Sequence, residues 1–205
     1  MSSTTSKVLT LIISAFTIVQ ITLASDPDIL IDFIAPNGSH VDGSFFTFTG
    51  FRVHLSSNTQ PSTFKAVKAS RTEFPALDGQ SVSYAALEFP SGSINPPHTH
   101  PRSAELLFLA KGSLQVGFVD TTNKLFTQTL QPGDMFVFPK GLVHFQRNSD
   151  TQRPALAFSA FGSANAGTVS IPNTLFNTTI DDNVLALAFK TNVSTIQTLK
   201  KGFAS

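Results

Sequence analysis

The 205-residue chain contains no cysteine. That absence excludes disulfides, redox-active thiols and thiolate metal sites, so the fold must hold through its core, a bound metal or assembly. Runs of basic residues are missing too. Fourteen Lys and Arg stand against 13 Asp and Glu, and a nearly neutral chain of dispersed charge argues against nucleic acid or an anionic membrane as partner. Nor is there an apolar run long and pure enough to span a membrane. The nearest approach, VLTLIISAFTIVQITLA, is broken by Ser, Thr and Gln.

What the chain does have begins at that run. Lys7 is the only charge before Asp26, and the small residues Ala24 and Ser25 follow. Residues 1–24 therefore read as a secretory signal peptide cut near Ala24, with a membrane anchor as the alternative. Residues 25–205 are long enough for one domain with a substantial core. Three sequons, at Asn37, Asn177 and Asn192, fit a glycosylated protein of the extracellular space.

Up to about Pro61 the sequence is loop-rich, apart from FFTFTGF (Phe45 to Phe51). Its alternating Phe and Thr predict a strand with a buried aromatic face. From about residue 60 to 163 short apolar or alternating runs recur, among them SVSYAALEF, AELLFLAKG, SLQVGFVD, LFTQTL, MFVFP, LVHFQRN and ALAFSAF. Turn signals separate them and no helical period intervenes. The expected fold is all-β, an antiparallel sandwich or barrel of the jelly-roll type, whose closure removes exposed strand edges. Between about 180 and 203, apolar residues recur three and four apart. Two short helices are expected there, with N-caps near Asp181 or Asp182 and near Ser194. Such helices are too short to stand alone and must pack on the barrel or on a second subunit.

The chemistry concentrates in PPHTHPRSAELLFLAKG, Pro96 to Gly112. On a strand, His98 and His100 share a face. Glu105 opens the next apolar run, and a hairpin or bend near Pro101 could bring its carboxylate alongside. His144 lies on a further expected strand after the Pro139 to Gly141 turn. Hydrogen-bonded polar residues of no special purpose explain a lone His-x-His pair, but they do not explain four convergent ligands. Three imidazoles and a carboxylate without sulfur suit Mn(II), Fe(II) or Zn(II), and they leave two positions of an octahedral ion open. His40 and His54 have no partner at ligand spacing and read as surface or loop residues.

Gly92, His98, His100, Glu105 and Gly112 fill the pattern G-x5-H-x-H-x3,4-E-x6-G. Gly133, Pro139, Gly141, His144 and Asn148 fill a second, G-x5-P-x-G-x2-H-x3-N. On these ten positions the chain resembles the germin-like proteins, a plant branch of the cupin superfamily. The likeness extends to the DPD near the expected mature start, to FPALDGQSVSYAALEFP and to the helical tail. The resemblance implies a cupin β-barrel holding Mn(II) through His98, His100, Glu105 and His144, with the glycines and Pro139 as turn residues and Asn148 as a structural one. It also implies a secreted homo-hexamer of the apoplast or cell wall, built as a trimer of dimers through the C-terminal helices, with a role in defence or stress.

Two departures stand out. Germins carry two cysteines near the mature N-terminus; here Ile34 occupies the first place and no second exists. Oxalate oxidases of this family set two asparagines at the substrate. Asn95 matches one, and Ala85, ten residues upstream, stands in place of the other. Losing a polar contact weakens recognition of a polar substrate by orders of magnitude. The resemblance therefore implies manganese superoxide dismutase activity ahead of oxalate oxidation to hydrogen peroxide. A non-catalytic wall or receptor protein with a structural metal is the third reading.

Overall fold

The computed structural model describes residues 26–38, 40–53 and 61–203, so the expected signal peptide and His54 lie outside the described residues. Ten strands follow one another: β1 (Lys65–Ala69), β2 (Ser83–Phe89), β3 (Ile94–Thr99), β4 (Glu105–Lys111), β5 (Leu114–Val119), β6 (Leu125–Leu130), β7 (Met135–Phe138), β8 (Val143–Arg147), β9 (Ala155–Phe161) and β10 (Val169–Ser170). They form two five-stranded antiparallel sheets, ordered β1-β2-β9-β4-β7 and β10-β3-β8-β5-β6. All-β architecture with a short helical tail is what the alternating runs predicted.

Period-two alternation sets which side chains enter the core. In β4, Glu105, Leu107 and Leu109 point inward while Leu106 and Phe108 lie on the outer face. Strand β9 alternates along its whole length, with Ala155, Ala157, Ser159 and Phe161 inward. Leu87, Phe89, Leu107, Leu109 and Phe138 of one sheet meet Leu114, Val116 and Leu130 of the other in a single apolar cluster. Fully burying side chains of this size contributes roughly 1.5–3 kcal/mol each. The motif glycines Gly92, Gly112, Gly133 and Gly141 all have positive φ, so the residues identified as turn formers do turn the chain. Gly112 has a second reason to be glycine: an added Cβ would lie 2.5 Å from the Pro154 carbonyl oxygen.

The expected strand at FFTFTGF is not there. Asp42 caps the segment by accepting from the Ser44 backbone N–H, and turn bonds follow from Phe45 to Asp42 and from Thr47 to Ser44. Folding by turns lets the rings pack on each other and on the outer surface of a sheet. Phe33, Phe45 and Phe46 meet edge to face or tilted, and Phe51 packs against Tyr84 and Phe158. Ring-to-ring packing outweighed the strand preference of the Phe-Thr pattern.

Three helices end the chain: α1 (Ile171–Phe176), α2 (Asp182–Ala188) and α3 (Val193–Phe203). The Asp181 carboxylate accepts from the Asn183 and Val184 N–H groups, which makes it the N-cap of α2 as expected. The cap of α3 is Asn192 rather than Ser194. Its Oδ1 accepts from the Thr195 N–H at 2.9 Å, and an Asn at the N-cap serves as well as a Ser. Helix α1 was not anticipated, being only six residues long. Leu185, Ala186 and Ile196 form a small second core with flanking contacts from Leu175 and Phe176.

Asn148 shows how one polar side chain closes a junction. Fully buried at the end of β8, it donates to the carbonyls of Phe89, Pro90 and Arg153 and accepts from the Asp150 N–H. Replacing it with Ala leaves buried backbone groups without partners, each a penalty of about 1–3 kcal/mol. Asn148→Ala is expected to lower stability by about 3 kcal/mol, read as a lower denaturation midpoint at unchanged m-value.

Candidate metal centre

His98, His100, Glu105 and His144 are brought together, each at most 6% exposed, with one ligand atom from each lying within 4.8 Å of all the others. Among the described residues no other such group of histidines and carboxylates occurs. Three of the four come from the β10-β3-β8 side and Glu105 from the facing sheet. The bend at Pro101 and Arg102 is therefore a crossing between sheets, not the turn of a hairpin.

Local backbone chemistry aims the histidines. Pro96 and Pro97 lack the N–H a regular ladder needs, and the β3–β8 register shifts between Asn95 and His98. The shift sets His98 directly opposite His144. Each ring then bonds to a main-chain carbonyl through Nδ1: His98 to Pro96 at 2.8 Å, His144 to Leu142 at 2.8 Å and His100 to Gly167 at 2.5 Å. A carbonyl only accepts, so Nδ1 carries the proton, and a neutral ring keeps its lone pair on Nε2. Phe138 stacks on His144 and Phe161 meets His100 edge to face.

Glu105 completes the cluster with its two oxygens in separate roles. Oε2 lies 3.0 Å from His100 Nε2 and 3.2 Å from His144 Nε2. Oε1 accepts from the Ser159 hydroxyl at 2.6 Å and from the Gln146 amide at 3.3 Å. Burial alone would raise the Glu105 carboxyl, but hydrogen bonding and charge from His100 and His144 outweigh it and hold the group well below the usual carboxylate range. Burial, with charge from His144 second, pushes His98 down to about 4, so this ring is neutral in neutral solution. The imidazole Nε2 atoms and the carboxylate thus converge, and a cation among them would take the place of the protons that Glu105 Oε2 accepts from His100 and His144. Bonds of roughly 2 Å from each donor to one ion would span a cluster of this size. The residues fit a divalent metal.

A cavity of about 330 Å³ leads to His98, His100 and Glu105. Asn95 and Ala85 both line it, and the rest of its wall includes Leu87, Phe161, Phe64 and Lys68. The Asn95 amide donates to Gln146 Oε1 at 2.7 Å, which fixes its orientation. Ala85 offers nothing in return. His40 stays outside the cluster, exposed beside Asp42, and Asn37, Asn177 and Asn192 are all exposed.

Gln146 and Ser159 escaped the reading of the sequence, although both carried a trace there. Gln146 follows His144 by two and so shares its inward face. Ser159 is the one polar residue among the inward positions of ALAFSAF. In each case a polar side chain on a buried face was the available clue.

Known proteins bear the same features. The cupin family pattern matches residues 53–197. Germin-like protein 9-3 of Oryza sativa subsp. japonica is 62% identical over 191 residues, spanning 90% of this chain and 89% of that protein. The rhicadhesin receptor of Pisum sativum is 43% identical over 162 residues, 78% of this chain and 73% of the receptor. A solved oxalate oxidase has the same fold, with a TM-score of 0.77 and 32% identity over 88% of this chain and 98% of its own. Two filled motif boxes, their side chains gathered into one buried cluster, and relatives matched over most of their length lead to one conclusion: the chain belongs to the germin-like proteins of the cupin family.

Proposed function

We propose that this is a secreted, manganese-binding germin-like protein that disproportionates superoxide in the extracellular space. The observation that carries this reading is the cavity wall, which Asn95 and Ala85 both line and where Ala85 offers no hydrogen bond. His98, His100, Glu105 and His144 would hold the ion. When bound, manganese supplies one-electron chemistry between Mn(II) and Mn(III), which Fe(II) would also supply and Zn(II) would not.

The chain's own residues do the rest. The three Nδ1–carbonyl bonds keep the rings in the ligating tautomer, and Ser159 and Gln146 hold Glu105 so that Oε2 faces the centre. Dismutation consumes two superoxide anions and two protons and yields dioxygen and hydrogen peroxide. A diatomic anion needs an open route and a proton supply, not a tailored recognition pocket. The cavity opens to solvent, which supplies both the route and the protons, while the Asn95–Gln146–Glu105 bonds hold the carboxylate in place.

Oxalate oxidation is the second reading, favoured by the 32% identical oxalate oxidase. It is disfavoured by Ala85, which removes one hydrogen-bond donor from the wall that a dianion would meet.

The reading also includes assembly and glycosylation. Leu187 of α2 is 81% exposed, with Val184, Phe189 and Leu199 exposed nearby. Leu106, Phe108, Met135 and Val137 form a second apolar face, on the outside of β4 and β7. Two apolar faces of this size on one subunit support two kinds of contact, as a trimer of dimers requires. A glycan on Nδ2 of Asn192 would leave Oδ1 free to cap α3.

Three measurements bear on these claims. Manganese-loaded protein is expected to consume superoxide, and His100→Ala should bind Mn(II) at least about 100-fold more weakly and lose that activity. Equal rates in the two proteins would assign the activity to free manganese. Peroxide release on adding oxalate should be negligible in the wild type and appear in Ala85→Asn. Finally, Leu187→Asp should shift the light-scattering mass from hexamer to dimer while the metal content per chain stays constant.

A further inference from the structure

The loop from Gly162 to Thr168 joins β9 to β10 and returns the chain beside β3, pairing Val169 with Thr99 and Ser170 with His98. This loop supplies the Gly167 carbonyl that fixes His100. It contains no regular structure, so its shape depends on bonds to the rest of the molecule. Nearly all of them converge from three residues. The Arg71 N–H donates to the Ala164 carbonyl at 2.9 Å. Arg102 donates from Nε to the Asn165 carbonyl, from its guanidinium to Asn165 Oδ1, and from its N–H to the Ala166 carbonyl. The third is Asp26. Its Oδ1 accepts from the Ser163 hydroxyl at 2.8 Å and its Oδ2 from the Ala164 N–H at 2.6 Å.

The loop has little room to settle elsewhere. Ser163 and Ala164 are buried, and the Ser163 carbonyl accepts from Ser83 at 2.7 Å. Gly167 has φ +71°, and an added Cβ would lie 2.6 Å from the Arg102 guanidinium. The carbonyl that orients His100 thus lies on the same short loop as the two residues clasped by Asp26, a carboxylate 137 residues away in sequence from Ser163.

We propose that Asp26 is a positioning residue for the metal centre. Its carboxylate pins the backbone at Ser163 and Ala164, and through that loop it holds the Gly167 carbonyl against His100 Nδ1. The proposal rests on the reading that the four-residue cluster binds a metal. It assigns the N-terminal segment a task beyond covering the fold. In a chain without a disulfide near its mature start, the same two bonds tether the segment and tune the site. On the expected cleavage near Ala24, trimming two residues from the mature N-terminus would remove the clasp. Ile29 and Ile34 pack over Gly79 behind it, keeping the segment in register while Asp26 makes the polar contacts.

The test compares Mn(II) retention and the electron paramagnetic resonance spectrum of bound Mn(II) in the purified secreted protein and its variants. Asp26→Ala is expected to release Mn(II) about 10-fold faster, within the range set by loss of an outer-shell partner, and to alter the bound-ion line shape. Asp26→Asn keeps one acceptor and should fall between. Asn148→Ala serves as the control for general destabilisation, and below its melting temperature it should leave both readouts unchanged. Wild-type release rate and line shape in Asp26→Ala would overturn the proposal, as would an equal change in Asn148→Ala. Failure of the wild type to bind Mn(II) at all would instead overturn the reading of the metal site itself.

Discussion

The three bonds from imidazole Nδ1 to main-chain carbonyls constrain everything else at the centre of this protein. Because a carbonyl cannot donate, each bond decides where the ring proton sits, and each leaves Nε2 pointing inward. The carbonyls belong to Pro96, Leu142 and Gly167, so the centre is built as much from backbone shape as from side-chain identity. Two of these residues lie two positions before the histidine they orient. In each of those cases the ring folds back on its own strand entry, which makes the tautomer a local property of the sequence. The third is remote, and His100 is consequently the ligand whose geometry depends on tertiary structure.

Glu105 faces the opposite problem. A carboxylate 2% exposed would ordinarily pay a desolvation cost of several kcal/mol. It is kept ionised by sharing its oxygens between two functions, with Ser159 and Gln146 on Oε1 and the imidazoles on Oε2. Because Glu105 comes from one sheet and the histidines from the other, a metal here also ties the two sheets together. Metal affinity and stability of the sandwich are linked through the same four residues.

How much of this could be read from the chain depended on whether the deciding interactions were local. Strands β4 and β9 announced themselves because one face of each is buried, which forces alternation. The His98, His100, Glu105 and His144 set was legible because strand geometry makes two-residue spacing convergent. FFTFTGF was misread because its rings pack on one another and on a sheet surface, and alternation does not distinguish that from a paired strand. The α3 cap could be placed no closer than near Ser194, since Asn192 and Ser194 both cap well and only geometry chooses between them. At Pro101 both a hairpin and a bend fitted, because sequence records the turn and not the sheet that receives it. The Asp26 clasp was invisible for the same reason, as its partners lie 137 and 138 residues away.

The pairing of Asn95 with Ala85 joins these threads to substrate choice. Ala85 lies opposite Ser159 in the β2–β9 register, and Ser159 is bonded to Glu105. A longer polar side chain at position 85 would therefore stand next to the serine that orients the carboxylate, where it could address either a ligand or Ser159 itself. With alanine there, Ser159 has no competitor and the Glu105 arrangement is secured, while the cavity loses a donor on that wall. The same small residue thus favours a firmly held metal over recognition of a polar substrate. That exchange is coherent for a centre serving a diatomic anion, which needs access to a well-defined ion and few contacts of its own.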